Sequence, residues 1–147
     1  MIQPSELQLH LPIIVGDGMQ STTTQVWQML QAANGGNLNM VRCLAAQCTG
    51  LLYAQYNYAP PIHFAVREGH EDLVRYLLEQ GAHDPDYKIY PFLDTLQTVA
   101  RDRDLNKIAT MLDEYAASDK IRHRGDNGRI DYGRKLRTLL PLSGWSA

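Results

Sequence analysis

PPIHFAVREGHEDLVRYLLEQGA, Pro60 to Ala82, contains two short helices with their stops in place. Pro61 suits the first turn of a helix, where its missing N–H has no partner to lose, and Pro60 keeps the entry extended. Ile62, Ala65 and Val66 give that helix a small apolar face that allows close approach of a neighbour. Gly69 then supplies a left-handed turn. In the helix that follows, Leu73, Val74, Leu77 and Leu78 recur at helical spacing, while Glu71, Asp72, Arg75 and Glu79 take the other side. Glu71 and Arg75 form a favourably oriented i,i+4 pair, and Gly81 stops the helix.

The unit recurs in both directions. Asn34 to Ala45 aligns with Arg67 to Leu78 at a constant offset of 33 residues, which sets Gly36 with Gly69, Val41 with Val74 and Leu44 with Leu77. A third copy aligns at an offset of 34, with Asp104 under His70, Ile108 under Val74, Met111 under Leu77 and Leu112 under Leu78. Val99 and Ala100 then fall under Ala65 and Val66, and one extra residue is assigned to the intervening loop. In this alignment Arg103 stands at the glycine position, where a left-handed residue other than glycine costs about 1 kcal/mol, so that turn is expected to differ. Repetition at this period implies units that bury their apolar faces only on one another, and about three are needed for a stable stack.

Pro61-Ile62-His63 matches the Pro-Leu-His of the Thr-Pro-Leu-His signature, and the stretch resembles an ankyrin repeat. The resemblance implies an all-α solenoid of stacked helix-turn-helix pairs with extended loops between repeats. The repeats would occupy about residues 23–55, 56–89 and 90–117, roughly two thirds of the chain. The flanking copies lack the triplet and read Trp27-Gln28-Met29-Leu30 and Asp94-Thr95-Leu96-Gln97, as terminal repeats with one solvent-facing side are expected to. Thr24 is the expected N-cap of the first copy and Asp94 that of the third.

Residues 1–22 read as an N-terminal extension or cap containing a turn at Gly16-Asp17-Gly18. Residues 118–147 form a cationic extension, with seven Lys or Arg against three Asp, whereas residues 1–117 carry seven against thirteen Asp or Glu. Asn127-Gly128 signals a hairpin turn there, and RKLRTLLPL, Arg134 to Leu142, has the composition of one more short helix. The alternative is a flexible tail that orders only on binding.

The net charge of -2 and 44 % apolar content over 147 residues fit one globular domain and exclude a strongly basic nucleic-acid binder. The longest apolar run, Leu11 to Val15, is far short of the roughly 18 residues that cross a bilayer. Glu6 and His10 interrupt the start where a signal peptide is uniformly apolar, so a cytoplasmic address is the default. Cys43 and Cys48, five residues apart on a helical segment, are poorly placed for a disulfide and are expected to be buried or half-buried apolar residues.

No constellation for catalysis emerges. Glu68, Glu71, Asp72, Asp102 and Asp104 fall on helix surfaces or turns by the repeat pattern, and the chain is expected not to be an enzyme. His63, His70 and His83 are too far apart for a helical metal pair, no Gly-Lys-Ser/Thr follows the early glycines, and no cofactor is implied. Arg124-Gly125-Asp126 is too short a match to an adhesion tripeptide to count. The ankyrin resemblance makes His63 structural, its ring bonded to backbone that links adjacent repeats.

The same resemblance places partner contacts on the loop tips before each first helix and on that helix's last exposed turn. In the middle copy these are Tyr56, Asn57, Ala59, Arg67 and Glu68, and in the third Tyr90, Pro91, Leu93, Arg101 and Asp102. The first copy offers only Thr23, Thr24, Val26, Asn34 and Gly35. Five of eight tyrosines, Tyr53, Tyr56, Tyr58, Tyr87 and Tyr90, fall in the two inter-repeat connections, and Tyr and Arg dominate binding hot spots. Simple packing of short loops is the competing account for Tyr53 and Tyr58.

The expected function is a monomeric, non-enzymatic module that binds an unidentified protein partner through Tyr56, Asn57, Arg67, Glu68, Tyr90, Pro91, Arg101 and Asp102. One rival is an anionic partner, nucleic acid or an acidic surface, held by Lys120, Arg122, Arg124, Arg129, Arg134, Lys135 and Arg137. The other is a spacer within a longer chain.

Overall fold

The computed structural model describes residues 11–15, 19–54, 59–89, 93–117 and 140–141, with the backbone alone for Ile14, Leu140 and Pro141. Strands β1 (Pro12–Val15) and β2 (Met19–Thr22) pair antiparallel, Pro12 opposite Thr22 and Val15 opposite Met19. β2 runs directly into α1 (Thr23–Gly35). The N-cap is Thr22 and not Thr24, its Oγ1 accepting the Gln25 N–H at 3.1 Å. Thr23 is already committed, because its N–H donates to the Leu11 carbonyl and its Oγ1 accepts the Leu11 N–H, both at 3.0 Å.

α2 (Leu38–Gln47) completes the first helix pair and passes through Cys48 into a 3₁₀ turn, Thr49–Tyr53. The middle pair is α3 (Pro61–Arg67) and α4 (Glu71–Glu79), and the third is α5 (Leu96–Asp102) and α6 (Asn106–Ala116). α5 is capped by Thr95, whose Oγ1 accepts the Thr98 N–H at 3.2 Å. Asp94, the expected cap, instead closes a bridge, its carbonyl accepting the Ile89 N–H at 2.7 Å. Cys48 is buried as expected, but Cys43 is exposed on the outer side of α2.

The first helices form one layer, α1 on α3 on α5, and α4 packs on α6 behind them. Leu30, Val41, Leu44, Ile62, Val66, Leu73, Leu77, Leu96 and Leu112 fill one continuous core, because each pair places its apolar stripe against the next. The helical solenoid is accompanied by a sheet, so the all-α expectation is incomplete. β3 (Leu140–Pro141) pairs with β1, Ile13 opposite Pro141 and Ile14 opposite Leu140, giving the strand order β2-β1-β3. Leu140 and Pro141 are therefore extended where RKLRTLLPL suggested a helix. Gly16-Asp17-Gly18 and Asn127-Gly128 lie outside the described residues.

The three inter-helix turns share one hydrogen-bond pattern. Gly36 N–H donates to Ala33 O and Asn37 N–H to Ala32 O; Gly69 and His70 repeat this on Val66 and Ala65, and Asp104 and Leu105 on Arg101 and Ala100. The left-handed residues are Gly36, Gly69 and Asp104, with φ of 71°, 77° and 59°. Arg103, expected there, has φ −102°. The offset between the second and third copies, Gly69 to Asp104, is thus 35 residues and not 34, which places Leu112 with Leu77 and Ala109 with Val74. One residue of slip turns a helix by about 100° and exchanges which residues face the core.

A second constraint falls on two of these turns. A Cβ at Gly36 would lie 2.5 Å from Nδ1 of His70, the first residue after the next turn, and His70 Nε2 is hydrogen-bonded to Asn34 O at 2.8 Å. A Cβ at Gly69 would meet the Leu105 side chain at 3.2 Å. Each glycine is therefore required by its positive φ and by the neighbour lying over it. Asp104 is exposed, so only the first requirement holds, and Asp is among the residues that tolerate it.

Chemical denaturation should rank three substitutions by that cover. Gly36→Ala is expected to cost about 2–4 kcal/mol from strain plus overlap with a hydrogen-bonded ring, Gly69→Ala less, and Asp104→Ala about 1 kcal/mol or under. Equal losses at all three would contradict the neighbour's role. Leu77→Ala, at a fully buried position, is expected to cost about 2–5 kcal/mol.

Candidate protein-binding surface

Exposed or half-buried on the first-helix layer are Gln28 and Gln31 of α1, Phe64 and Arg67 of α3, and Thr98, Arg101 and Asp102 of α5. Arg67 is held from three directions. Its guanidinium lies over the Phe64 ring at 5.1 Å, Nη2 donates to Asn34 Oδ1 at 3.0 Å, and Nε pairs with Glu68 Oε1 at 3.1 Å. About a third of each of these two charged side chains remains exposed, 37 % for Arg67 and 38 % for Glu68. The repeat behind adds one more link, Arg103 Nη1 donating to the Arg67 carbonyl at 2.9 Å.

Arg101 points elsewhere and pairs with Asp113 of α6 within its own repeat. This follows from the register: the counterparts of Arg67 and Glu68 are Asp102 and Arg103, so the alignment at 34 took Arg101 and Asp102 one place early. Asp102 is exposed at the end of α5. Tyr56, Asn57, Tyr90 and Pro91 lie outside the described residues. The residues that sequence reasoning passed over are Phe64 and Arg103. The signal for Phe64 was its position one helical turn before Arg67, whereas Arg103 was taken as a turn residue.

Two of the loop tyrosines have structural partners. Tyr53 is buried and donates to the Gln80 carbonyl at 3.4 Å. The Tyr87 hydroxyl lies 3.2 Å from His63 Nδ1 and stitches α3 to the loop that leads toward α5. The His63 ring was expected to bond to backbone that links adjacent repeats, whereas this nitrogen meets a side-chain hydroxyl. Burial, and then the Arg67 charge, lower the His63 pKa to about 4, while burial pushes Tyr87 up to about 12. Leu93, on the turn before α5, is 63 % exposed and holds a φ of 60°, an arrangement costly for a branched side chain.

His83 lies between the second and third helix pairs, 2 % exposed, and among the described residues neither ring nitrogen has a hydrogen-bond partner. Its ring packs on Tyr115 of α6 with centroids 5.6 Å apart, and the Tyr115 hydroxyl donates to the His83 carbonyl at 3.0 Å. Burial lowers its pKa to about 4 from the ordinary 6.5. Among the described residues no group of three or more His, Cys, Asp or Glu is placed to hold a metal ion, and no helix is long and apolar enough to cross a membrane.

These histidines fix a pH dependence. Below about 6.5 the unfolded chain binds protons at His63 and His83 that the folded chain refuses until about pH 4, so stability falls as pH drops through that window. His83 alone accounts for about 3 kcal/mol across the window, and Asp84, raised by its own burial, acts in the opposite sense. Urea midpoints measured from pH 7 to 4.5 should decline, with a shallower slope in His83→Leu. A flat or rising profile would contradict the burial of these rings.

The comparisons with known proteins agree with this geometry. The family model described as ankyrin repeats (3 copies) matches residues 11–89, from the residue before β1 through the bridge residue Ile89. That span is more than half of the 147 residues. The third helix pair lies beyond the match and continues the stack by the same turn geometry. A comparison with curated proteins finds no match. Repeats of this family are generally protein–protein interaction modules, not enzymes. The chain belongs to the ankyrin repeat family.

Proposed function

We propose that the chain binds a folded protein partner through its first-helix layer and the loops that precede α3 and α5. The contact residues of this reading are Tyr56, Asn57, Arg67, Glu68, Tyr90, Pro91, Arg101 and Asp102, to which Phe64 and Leu93 are added. The supporting observation is the Arg67 cluster, a cation stacked on an aromatic ring and hydrogen-bonded across two repeats, with its outer side still open to solvent. An arginine already ordered loses little side-chain entropy on association, and Arg beside aromatic side chains is the usual composition of a hot spot. Leu93 adds exposed apolar area on the neighbouring loop. The mechanism is rigid display, and it needs no cofactor.

A second reading rests on the place of the positive charge. All seven cations of the C-terminal extension lie between Ala117, just after α6, and Leu140, which is paired to β1 at the other end of the stack. An anionic partner would be met there, and its affinity would fall steeply with salt.

The test compares a captured partner's affinity for the intact domain, for Tyr56→Ala with Tyr90→Ala, and for Arg67→Ala. Each tyrosine truncation at a hot spot is expected to cost about 1–2 kcal/mol or more of binding while the urea midpoint stays near that of the parent. Unfolding of the tyrosine pair as severe as that of Leu77→Ala would remove the assignment. Unchanged affinity with a steep salt dependence would favour the cationic extension.

A further inference from the structure

Between Asp17 and Arg67 the chain has a single charged side chain, Arg42. Its guanidinium lies over the Tyr76 ring of α4 at 5.1 Å, so that charge is directed at the middle repeat. The outer face of α2 is left without charge: Asn39, Met40, Cys43, Ala46 and Gln47 are all exposed. Asn39 and Met40 stand four and three places before Cys43, and Ala46 and Gln47 three and four places after it, so Cys43 is the centre of one continuous patch. Met40, 42 % exposed, is one of two large apolar side chains in the open among the described residues. Depletion of charge marks the core of an interface, where Met is enriched.

We propose that this face of α2 is the interface of a two-fold dimer of the chain, the two α2 helices meeting antiparallel at Cys43. The order of the patch is self-complementary about that residue. A two-fold contact sets Asn39 against Gln47 of the other copy, Met40 against Ala46, and Cys43 against itself, so that amide meets amide and a large apolar side chain meets a small one. Each amide both donates and accepts, and the two satisfy one another across the axis. Gln47 is already oriented, its Oε1 accepting from Gln25 Nε2 at 2.9 Å, which leaves its own N–H donors for the other copy. The middle repeat offers no equivalent: on α4 a contact centred on Arg75 would set Arg75 against Arg75 and Glu71 against Glu79, like charge on like. A charged partner finds no counter-charge on the patch, whereas a second copy brings the matching uncharged one. The dimer replaces the monomer expected from the sequence and leaves the first-helix layer free, so its test is independent of the reading proposed for that layer.

The test is sedimentation equilibrium of the full chain under reducing conditions, from about 10 μM to about 1 mM. Two double variants at exposed positions are compared with the parent. Asn39→Glu with Gln47→Glu places like charges opposite one another at both ends of the contact, whereas Asn39→Glu with Gln47→Lys places opposite charges there. The urea midpoints of both should stay near that of the parent, since neither position is buried. Cys43 supplies the positional readout: Cys48 is buried, so a short thiol-to-thiol cross-linker joins copies through Cys43.

The parent is expected to dimerise with a midpoint of about 0.1 mM, as suits a contact of one helix face from each copy. The like-charge pair should weaken association at least about tenfold, the opposite-charge pair should match or exceed the parent, and cross-linked dimer should form in the parent and the opposite-charge variant alone. A parent that stays monomeric at about 1 mM overturns the proposal and leaves the face to another protein. Equal dimerisation of the two variants also overturns it, because the contact then lies on another face. Dimers that the cross-linker does not trap reject the meeting of the helices at Cys43, and the proposal with it.

Discussion

Gly36 lies beneath the imidazole of His70, and Gly69 lies against the side chain of Leu105. In each case the left-handed residue that lets one helix fold back on its partner is covered by the first residue after the following turn. The turn that makes a repeat is thereby the surface on which the next repeat is placed. His70 reinforces this with its bond to the Asn34 carbonyl, and Arg103 does the same one repeat later on the carbonyl of Arg67. A chain stacked in this way has couplings that run only between neighbours, so the ends differ from the middle. At one end the sheet β2-β1-β3 closes the first repeat. At the other, Asp104 takes the left-handed position, and it is exposed.

The middle repeat was fully legible because every local signal agreed: Pro61 at the start, Gly69 and Gly81 at the stops, and apolar residues at helical spacing between them. The third was legible in kind but not in register. Ile108 fits an offset of 34 despite Arg103 at the glycine position, since Ile108, Met111 and Leu112 make an apolar stripe in either register. Only the carbonyls of Arg101 and Ala100 that receive Asp104 and Leu105 fix the offset at 35. That one-residue difference moved the expected counterparts of Arg67 and Glu68 from Asp102 and Arg103 to Arg101 and Asp102. The sheet escaped because β1 and β2 are four residues each and β3 two, below the length at which alternation separates a strand from a loop. The β1–β3 pairing is also between residues more than 120 positions apart.

Several polar groups that look available in the sequence are engaged within the stack. Tyr53 and Tyr115 hold carbonyls across the joints between repeats, Tyr87 holds His63 of its own repeat, and Arg101 is paired with Asp113. Arg67 differs because its internal partners orient it without covering it, which leaves an ordered cation beside Phe64 on the first-helix layer. Repeats of this family are generally protein–protein interaction modules.

Native-state hydrogen exchange of the full chain tests the nearest-neighbour account most directly. Amides of α3 and α4, covered on both sides, should exchange slowest, those of α1 and α2 beneath the sheet nearly as slowly, and those of α5 and α6 fastest, with Leu105 opening before His70. Uniform exchange across the three helix pairs, or slowest exchange in α5 and α6, would contradict it.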